Sequence, residues 1–318
     1  MIVSRTRELL VNGILQFLTG QDLLALAEIR AALEREIDDA GPASLVALRE
    51  RLTLDAGWSY YPPDPLAQRI HLVLAARFVQ PDSQVIGLEH VNAIAGEPVI
   101  ILSNHLSYAD ANVLHVMFHR VGCDDLAGRL TAMAGPKVFT NRERRFSSLC
   151  FGTIKVPQSR DVSSEEAVQD AREVAHAARR AIEIAAERVA SGDALVLFGE
   201  GTRSRSAQMQ RMLAGVARYL EVPGAWVLPM GLTGSELLFP IGDVTVRPAR
   251  VEVTLGTPMR TDALMQLASR HRQTAMDLVG LAIAELVPAA YRGVYGDTAA
   301  FPDAAQALSE QRHARDRT

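Results

Sequence analysis

The sequence predicts an α/β protein: a mostly parallel central sheet flanked by helices and preceded by a small N-terminal helical bundle. Three observations predict it. The runs PVIIL (98–102), ALVLFG (194–199) and GAWVLPMGL (224–232) are short, continuous and apolar, the pattern of strands buried on both faces. Segments of helical periodicity separate these runs, the alternation that builds a parallel sheet. The first eighty residues carry helical spacing almost alone. The expected division is therefore a helical domain over 1–80 and an α/β domain over 81–318.

The elements follow in order. Leu9, Leu10, Ile14, Leu15 and Phe17 repeat at helical spacing, as do Leu23, Leu26, Ile29, Leu33 and Ile37. Gly41-Pro42 breaks the pattern, and Ser44 is placed to cap the next helix. YYPPDP (60–65) reads as a turn, followed by a short helix, QRIHLVLAARFV. QVIGLEHV (84–91) alternates as a strand does. Residues 110–121 return to helical spacing, and RLTAMAG and GTIKVP read as strands. An Ala-rich helix over 164–190 opens with a Ser163-x-x-Glu166 capping box and closes at Gly192. VRPARVEVTL (246–255) alternates again, and the segment from Asp262 is helical.

Composition excludes several classes of function. With 33 Lys and Arg against 37 Asp and Glu, the net charge is −4, and no basic bias points to nucleic acid. Two cysteines, Cys123 and Cys150, stand outside any CxxC and make no disulfide framework or zinc cluster, so a reducing, cytoplasmic setting is expected. The N-terminus lacks the apolar core of a signal peptide, and no window reaches the ~18–20 apolar residues of a membrane span. Any dealing with lipid is expected from the water side, peripheral to the inner membrane face. The phosphate loop GxxxxGK, GxGxxG, HExxH and GxSxG are all absent. His115 and His119, spaced i, i+4, read as a helix-surface or half-buried pair without a third ligand, so no metal is expected. The NRERR run (141–145) reads as a solvated face.

Two strand ends carry the chemistry. VIILSNHLSYAD (99–110) ends an apolar run on Ser103, Asn104 and His105, with Asp110 five residues beyond the histidine. α/β proteins place ligand sites at the carboxyl ends of strands. Two readings fit. Ser107-x-x-Asp110 is itself a capping-box pattern, which leaves His105 an ordinary loop residue. Alternatively, Asp110 folds back to hold His105 as a base. LVLFGEGTRSRS (195–206) is a second apolar strand ending in a polar turn, with Glu200, Gly201, Thr202, Arg203 and Arg205. Side by side in a parallel sheet, the two turns offer a base, a carboxylate and a guanidinium fork suited to phosphate.

SNHLSYAD and FGEGTRS resemble the first and third motifs of the glycerolipid acyltransferase superfamily, usually NHxxxxD and FPEGTRS, with Gly199 where proline is common. FGTIKVPQSR resembles the second motif, with Gln158 at the usual arginine position and Arg160 two residues later. WVLPMGL resembles the fourth, and the resemblance covers about residues 84–258. AGPKVFT and the N-terminal helices also resemble the soluble plastid-type glycerol-3-phosphate acyltransferases, although those depart from EGTRS.

The resemblance implies an acyltransferase moving a fatty acyl group from acyl-CoA or acyl-carrier protein to a hydroxyl of glycerol 3-phosphate. It implies His105 as general base, Asp110 as its orienter, Glu200, Gly201 and Thr202 as shapers of the acceptor pocket, and Arg203 with Arg160, Lys155 and Arg205 for the phosphate. No cofactor is implied; the acyl thioester is a co-substrate. The alternatives are the same chemistry on lysophosphatidate or another alcohol or amine, and a non-catalytic lipid-binding protein that keeps the fold.

Overall fold

The computed structural model describes residues 2–18, 23–140, 142–157, 171–240 and 245–315. Among them a nine-stranded sheet forms from β1 (Tyr60–Tyr61), β2 (Gln84–Ile86), β3 (Val99–Ser103), β4 (Leu130–Ala134), β5 (Gly152–Lys155), β6 (Ala194–Phe198), β7 (Trp226–Thr233), β8 (Glu252–Leu255) and β9 (Met259–Arg260). The order is β1-β5-β4-β6-β3-β7-β8-β2, with β9 on β7. The centre, β5-β4-β6-β3-β7, is parallel throughout, while β1, β8 and β9 run antiparallel to their neighbours β5 and β7.

β3 shows why these runs become central strands. All five residues are buried, and alternate side chains face opposite cores. Val99 and Ile101 join one hydrophobic cluster; Ile100 and Leu102 join the other. A strand covered on both faces has no polar side to show, so its sequence is an unbroken apolar run.

Helices cover both faces. On the first lie α1 (Ile2–Phe17), α2 (Leu23–Thr53), α3 (Pro65–Phe78), the short α4 (Leu88–Asn92), α5 (Asp110–Arg120), α6 (Asp124–Gly128), α7 (Lys137–Thr140) and α8 (Arg142–Ser148). On the second lie α9 (Ala171–Ala190), α10 (Thr261–Arg270), α11 (Arg272–Ala284) and α12 (Pro302–Arg315). Core residues of α1, α2 and α3, among them Val11, Leu33 and Ile70, belong to the same cluster as Val99 and Ile101.

Several local expectations change. QVIGLEHV is a strand only to Ile86. Gly87 takes φ +84°, where a Cβ would collide with the Leu255 carbonyl, and the chain turns there into α4. In 246–255 only Glu252–Leu255 is strand, with a single bridge from Val79 to Ala249 before it. Gly41 does break the first long helix (φ 79°, ψ 168°), but Ser44 Oγ donates back to the Ala40 carbonyl at 2.8 Å and caps nothing. In YYPPDP the two tyrosines pair with β5, and the turn proper is the N-cap of α3. There Asp64 accepts from Leu66 N and Ala67 N, and Pro65 fills the first helical position. The Ser163–Glu166 capping box lies outside the described residues.

Candidate active site

The site is made where β3 and β6 end side by side. Their register sets Ser103 beside Phe198 and, across β7, Ser103 beside Met230. Asn104 continues the ladder with its side chain: Nδ2 donates to the Leu232 carbonyl at 2.9 Å and Oδ1 accepts from Leu232 N at 2.8 Å. A buried amide imitating a strand residue fixes where β3 stops and where the next residue begins.

That next residue is His105. The third-motif loop grips its backbone on both sides: His105 N donates to Glu200 Oε1 at 2.9 Å, and Ser204 N donates to the His105 carbonyl at 2.8 Å. Its ring stacks on Phe198, with centroids 4.3 Å apart and planes 18° apart. Nδ1 donates to Asp110 Oδ2 at 2.8 Å. Nε2 has no hydrogen bond to the described residues, and the side chain is 17% exposed.

Asp110 is fully buried at the start of α5. Besides the imidazole, its Oδ2 accepts from Leu106 N at 2.8 Å and Ser107 N at 3.0 Å, and its Oδ1 accepts from Ser235 Oγ at 2.6 Å. The two readings of this stretch are thus both realised. The carboxylate closes the turn onto Ser107 N, as a capping box would, and the same oxygen holds His105. Ser107 Oγ serves Ala109 N instead of the helix interior. Four donors around one buried carboxylate compensate its desolvation.

Glu200 is almost as buried, at 4% exposure. Its second oxygen accepts from Gln210 N at 2.7 Å. Burial nevertheless dominates and pushes its carboxyl up to about 7, against the two backbone hydrogen bonds that favour the anion. Both oxygens face protein N–H groups, so Glu200 ties the two motif loops together. Gly201 takes φ +71°, and a Cβ there would collide with Leu213. At Gly199, where the resembled motif usually has proline, a Cβ would collide with Met212 Sδ; this chain fills that space with methionine.

The predicted cations separate into groups. Arg203 lies with its guanidinium carbon 4.3 Å from the centroid of the Tyr108 ring and makes no hydrogen bond to the described residues. Arg205 is exposed nearby. Lys155 ends β5, three strands from β3, or about 14 Å at the usual strand spacing. Its ammonium pairs with Asp55 at 3.1 Å and faces the Trp58 and Phe139 rings, so it is already occupied. Arg160 and Gln158 lie outside the described residues. Thr202 is half-buried beside Arg203.

Within the NRERR run, Arg145 is not part of a solvated face. Arg145 is 2% exposed, stacks on Tyr61 and donates to the Arg51 carbonyl at 3.1 Å. Arg144 lies 4.7 Å from the Tyr108 ring centroid. His115 is likewise no surface residue: it is fully buried, with both ring nitrogens unpartnered. Among the described residues no group of three His, Cys, Asp or Glu is arranged to hold a metal.

Sequence reasoning missed Ser235, Phe198 and Tyr108. Ser235 follows the end of the predicted strand GAWVLPMGL, so the rule that sites form at carboxyl ends of strands could have found it. Gly234, at φ +83° and with the Arg250 carbonyl where a Cβ would go, turns the chain so that Ser235 reaches Asp110.

Residues 82–233 match the family model described as Acyltransferase. Among solved structures, the crystal structure of the 1-acyl-sn-glycerophosphate (LPA) acyltransferase PlsC from Thermotoga maritima is similar at 17% identity, covering 85% of this chain and 96% of that one, with a TM-score of 0.41. No curated protein matches.

Proposed function

We propose that the chain, whose residues 82–233 match the Acyltransferase family model, is a member of the glycerolipid acyltransferase superfamily and transfers a fatty acyl group from an acyl thioester, acyl-CoA or acyl-carrier protein, to a hydroxyl of glycerol 3-phosphate. The observation that carries the reading is the His105 Nδ1–Asp110 Oδ2 contact of 2.8 Å, which leaves Nε2 as the ring's free acceptor.

An acyl thioester is already activated; the reaction needs a hydroxyl made nucleophilic beside its carbonyl. His105 Nε2 takes the hydroxyl proton as the oxygen attacks. The tetrahedral intermediate collapses with cleavage of the C–S bond, and the departing thiolate takes that proton back from the imidazolium. Asp110 holds the Nδ1–H tautomer and stabilises the imidazolium, the arrangement of a catalytic triad with the acceptor's hydroxyl in the serine's place. No acyl-enzyme is required. Arg203 supplies the fork for the acceptor's phosphate, with Arg205 beside it. Glu200, Gly201 and Thr202 shape the acceptor pocket by holding the loop that carries Arg203.

No described helix is long and apolar enough to cross a membrane, and a peripheral association with the membrane surface completes the proposal; release by high salt or alkaline wash, without detergent, supports it. The test of function crosses two donors, acyl-CoA and acyl-carrier protein, with glycerol 3-phosphate, lysophosphatidate and a long-chain alcohol. Fastest turnover on glycerol 3-phosphate supports the reading. Preference for lysophosphatidate moves the acceptor to the alternative, and folded protein that transfers to none overturns it.

A further inference from the structure

We propose that Tyr291 is a positioning residue for the acyl transfer, closing a circuit of hydrogen bonds that holds the His105–Asp110 pair from both ends. The inference rests on the role of His105 proposed above and adds to it a residue of the C-terminal segment, outside all four motifs.

The circuit runs bond by bond from His105 back to His105. His105 N donates to Glu200 Oε1 at 2.9 Å, and Gln210 N donates to Glu200 Oε2 at 2.7 Å. Met209, the neighbour of Gln210, donates its N–H to the Tyr291 carbonyl at 2.8 Å. The Tyr291 phenol donates to Glu236 Oε1 at 2.6 Å. Ser235, the neighbour of Glu236, donates from Oγ to Asp110 Oδ1 at 2.6 Å, and Asp110 Oδ2 accepts from His105 Nδ1 at 2.8 Å. Tyr291 therefore joins the third-motif loop to the turn after β7, by its backbone on one side and its side chain on the other.

The segment that carries Tyr291 lies directly on the loop it holds. Val294 N donates to the Met209 carbonyl at 3.2 Å, and a Cβ on Gly293 would collide with the Met209 backbone. The Tyr295 hydroxyl accepts from Met212 N at 2.9 Å. The Tyr291 ring packs against both hydrophobic clusters, so packing aims the phenol before any hydrogen bond forms. Burial and the Glu236 carboxylate push that phenol up to about 12, which keeps it a donor. A base must lie within hydrogen-bond reach of the proton it takes, and a misplacement of about 1 Å costs turnover about 10²-fold. A circuit that fixes both the backbone and the ring of His105 restricts that error without touching substrate.

The experiment uses Tyr291→Phe, Glu236→Leu, Glu236→Gln and Tyr291→Phe combined with Ser235→Ala, all in the full chain, with thermal melts to confirm folding. Acyl-CoA and glycerol 3-phosphate serve as substrates. The Nδ1–H resonance of His105 in protein labelled with ¹⁵N-histidine, assigned by its loss in His105→Gln, provides an activity-independent readout. Tyr291→Phe keeps the ring and removes the donor, and it should lower kcat per folded molecule about fivefold, the worth of an ordinary hydrogen bond. The KM for each substrate should move by less than about twofold. Glu236→Leu should match that loss, and Glu236→Gln, which keeps an acceptor oxygen, should stay within about twofold of the wild type. The double variant should be little slower than the slower of Tyr291→Phe and Ser235→Ala, because a circuit broken once is already open. The His105 resonance should shift in Tyr291→Phe and return in Glu236→Gln. An unchanged kcat in folded Tyr291→Phe, a raised KM with kcat intact, or multiplicative losses in the double variant overturns the proposal and leaves the function standing. If the wild type transfers no acyl group, the functional reading falls and the resonance decides: a shift in Tyr291→Phe keeps Tyr291 as the residue that positions His105, and an unchanged resonance removes it.

Discussion

His105 and His115 stand ten residues apart at the two ends of one short stretch, and the fold treats them in opposite ways. His105 has one ring nitrogen on a buried carboxylate, the other unbonded, and a side chain still 17% exposed. His115 lies fully buried between the rings of His71 and His119, centroids 5.5 and 4.7 Å away, with neither nitrogen bonded. Burial drives the His115 imidazole down to about 3. One site spends its surroundings on orienting a base; the other holds a neutral ring whose polar atoms the interior leaves unpaired. A histidine becomes a candidate for proton transfer when the fold supplies a partner for one nitrogen and a path to the other.

The largest expected effect tests the first half of that contrast. His105→Ala should cut kcat/KM by about 10²–10⁴ with little change in melting, the range for a positioned general base. Asp110→Asn should also be severe, because the amide can support the wrong tautomer. The double variant should be little worse than His105→Ala alone, since the pair acts as a unit. His115→Leu should leave turnover per folded molecule intact. Multiplicative losses in the cycle, or a folded Asp110→Asn protein with near-normal kcat, would break the comparison at its stronger end.

The second effect belongs to stability. In the unfolded chain His115 binds a proton below about pH 6.5, whereas in the folded chain it does so only near 3. Stability therefore falls as pH drops through that window, by about 3 kcal/mol at pH 4 from this group. His71, pushed down to about 4 by burial, acts in the same direction. His115→Leu should lose that share of the acid sensitivity, read as denaturant midpoints at pH 4, 5 and 7; an unchanged slope would show that His115 titrates normally.

Glu200 tilts the other way. Its carboxyl, raised from 4.5 to about 7, keeps a proton in the folded chain that the unfolded chain releases. Stability from this group is therefore lost as pH rises from about 4.5 to 7, by about 3 kcal/mol. Across pH 5–6.5 the same midpoints should rise more steeply with pH in Glu200→Gln than in the wild type, while His115→Leu flattens them. A parallel curve for Glu200→Gln would mean that the carboxylate is ionised throughout and that its two backbone donors outweigh burial.

Much of this was written locally. The apolar runs marked β3, β6 and β7, because a strand buried on both faces has no other way to read. The two strand-end motifs placed His105, Asp110, Glu200 and Arg203 on neighbouring loops. What stayed hidden depends on long-range partners. Arg145 reads as one charge in a charged run, and only the tertiary fold gives it Tyr61 and the Arg51 carbonyl. Lys155 reads as a free cation at a strand end until Asp55, 100 residues earlier in the chain, pairs with it. Gly87 reads as one more residue of an alternating run until the Leu255 carbonyl leaves no room for a Cβ.

The smallest effect would make the His105 site resemble the His115 site. Ser235 Oγ, 125 residues from Asp110 in sequence, is the protein donor to Asp110 Oδ1 among the described residues. Ser235→Ala leaves that oxygen buried and unpaired, the condition of the His115 nitrogens. The expected stability loss is about 1–3 kcal/mol, the cost of orphaning a buried acceptor. Turnover should fall only severalfold, because the other oxygen keeps Leu106 N, Ser107 N and the His105 Nδ1–H. Ser235→Thr retains the hydroxyl and should recover turnover if its methyl fits beside Asp110. Chemical denaturation and kcat measured on the same preparations separate the two effects. A kcat loss as large as that of Asp110→Asn would mean that Ser235 sets the position of the carboxylate. No loss of stability would mean that water replaces the hydroxyl, and that the interior there is more open than its full burial implies.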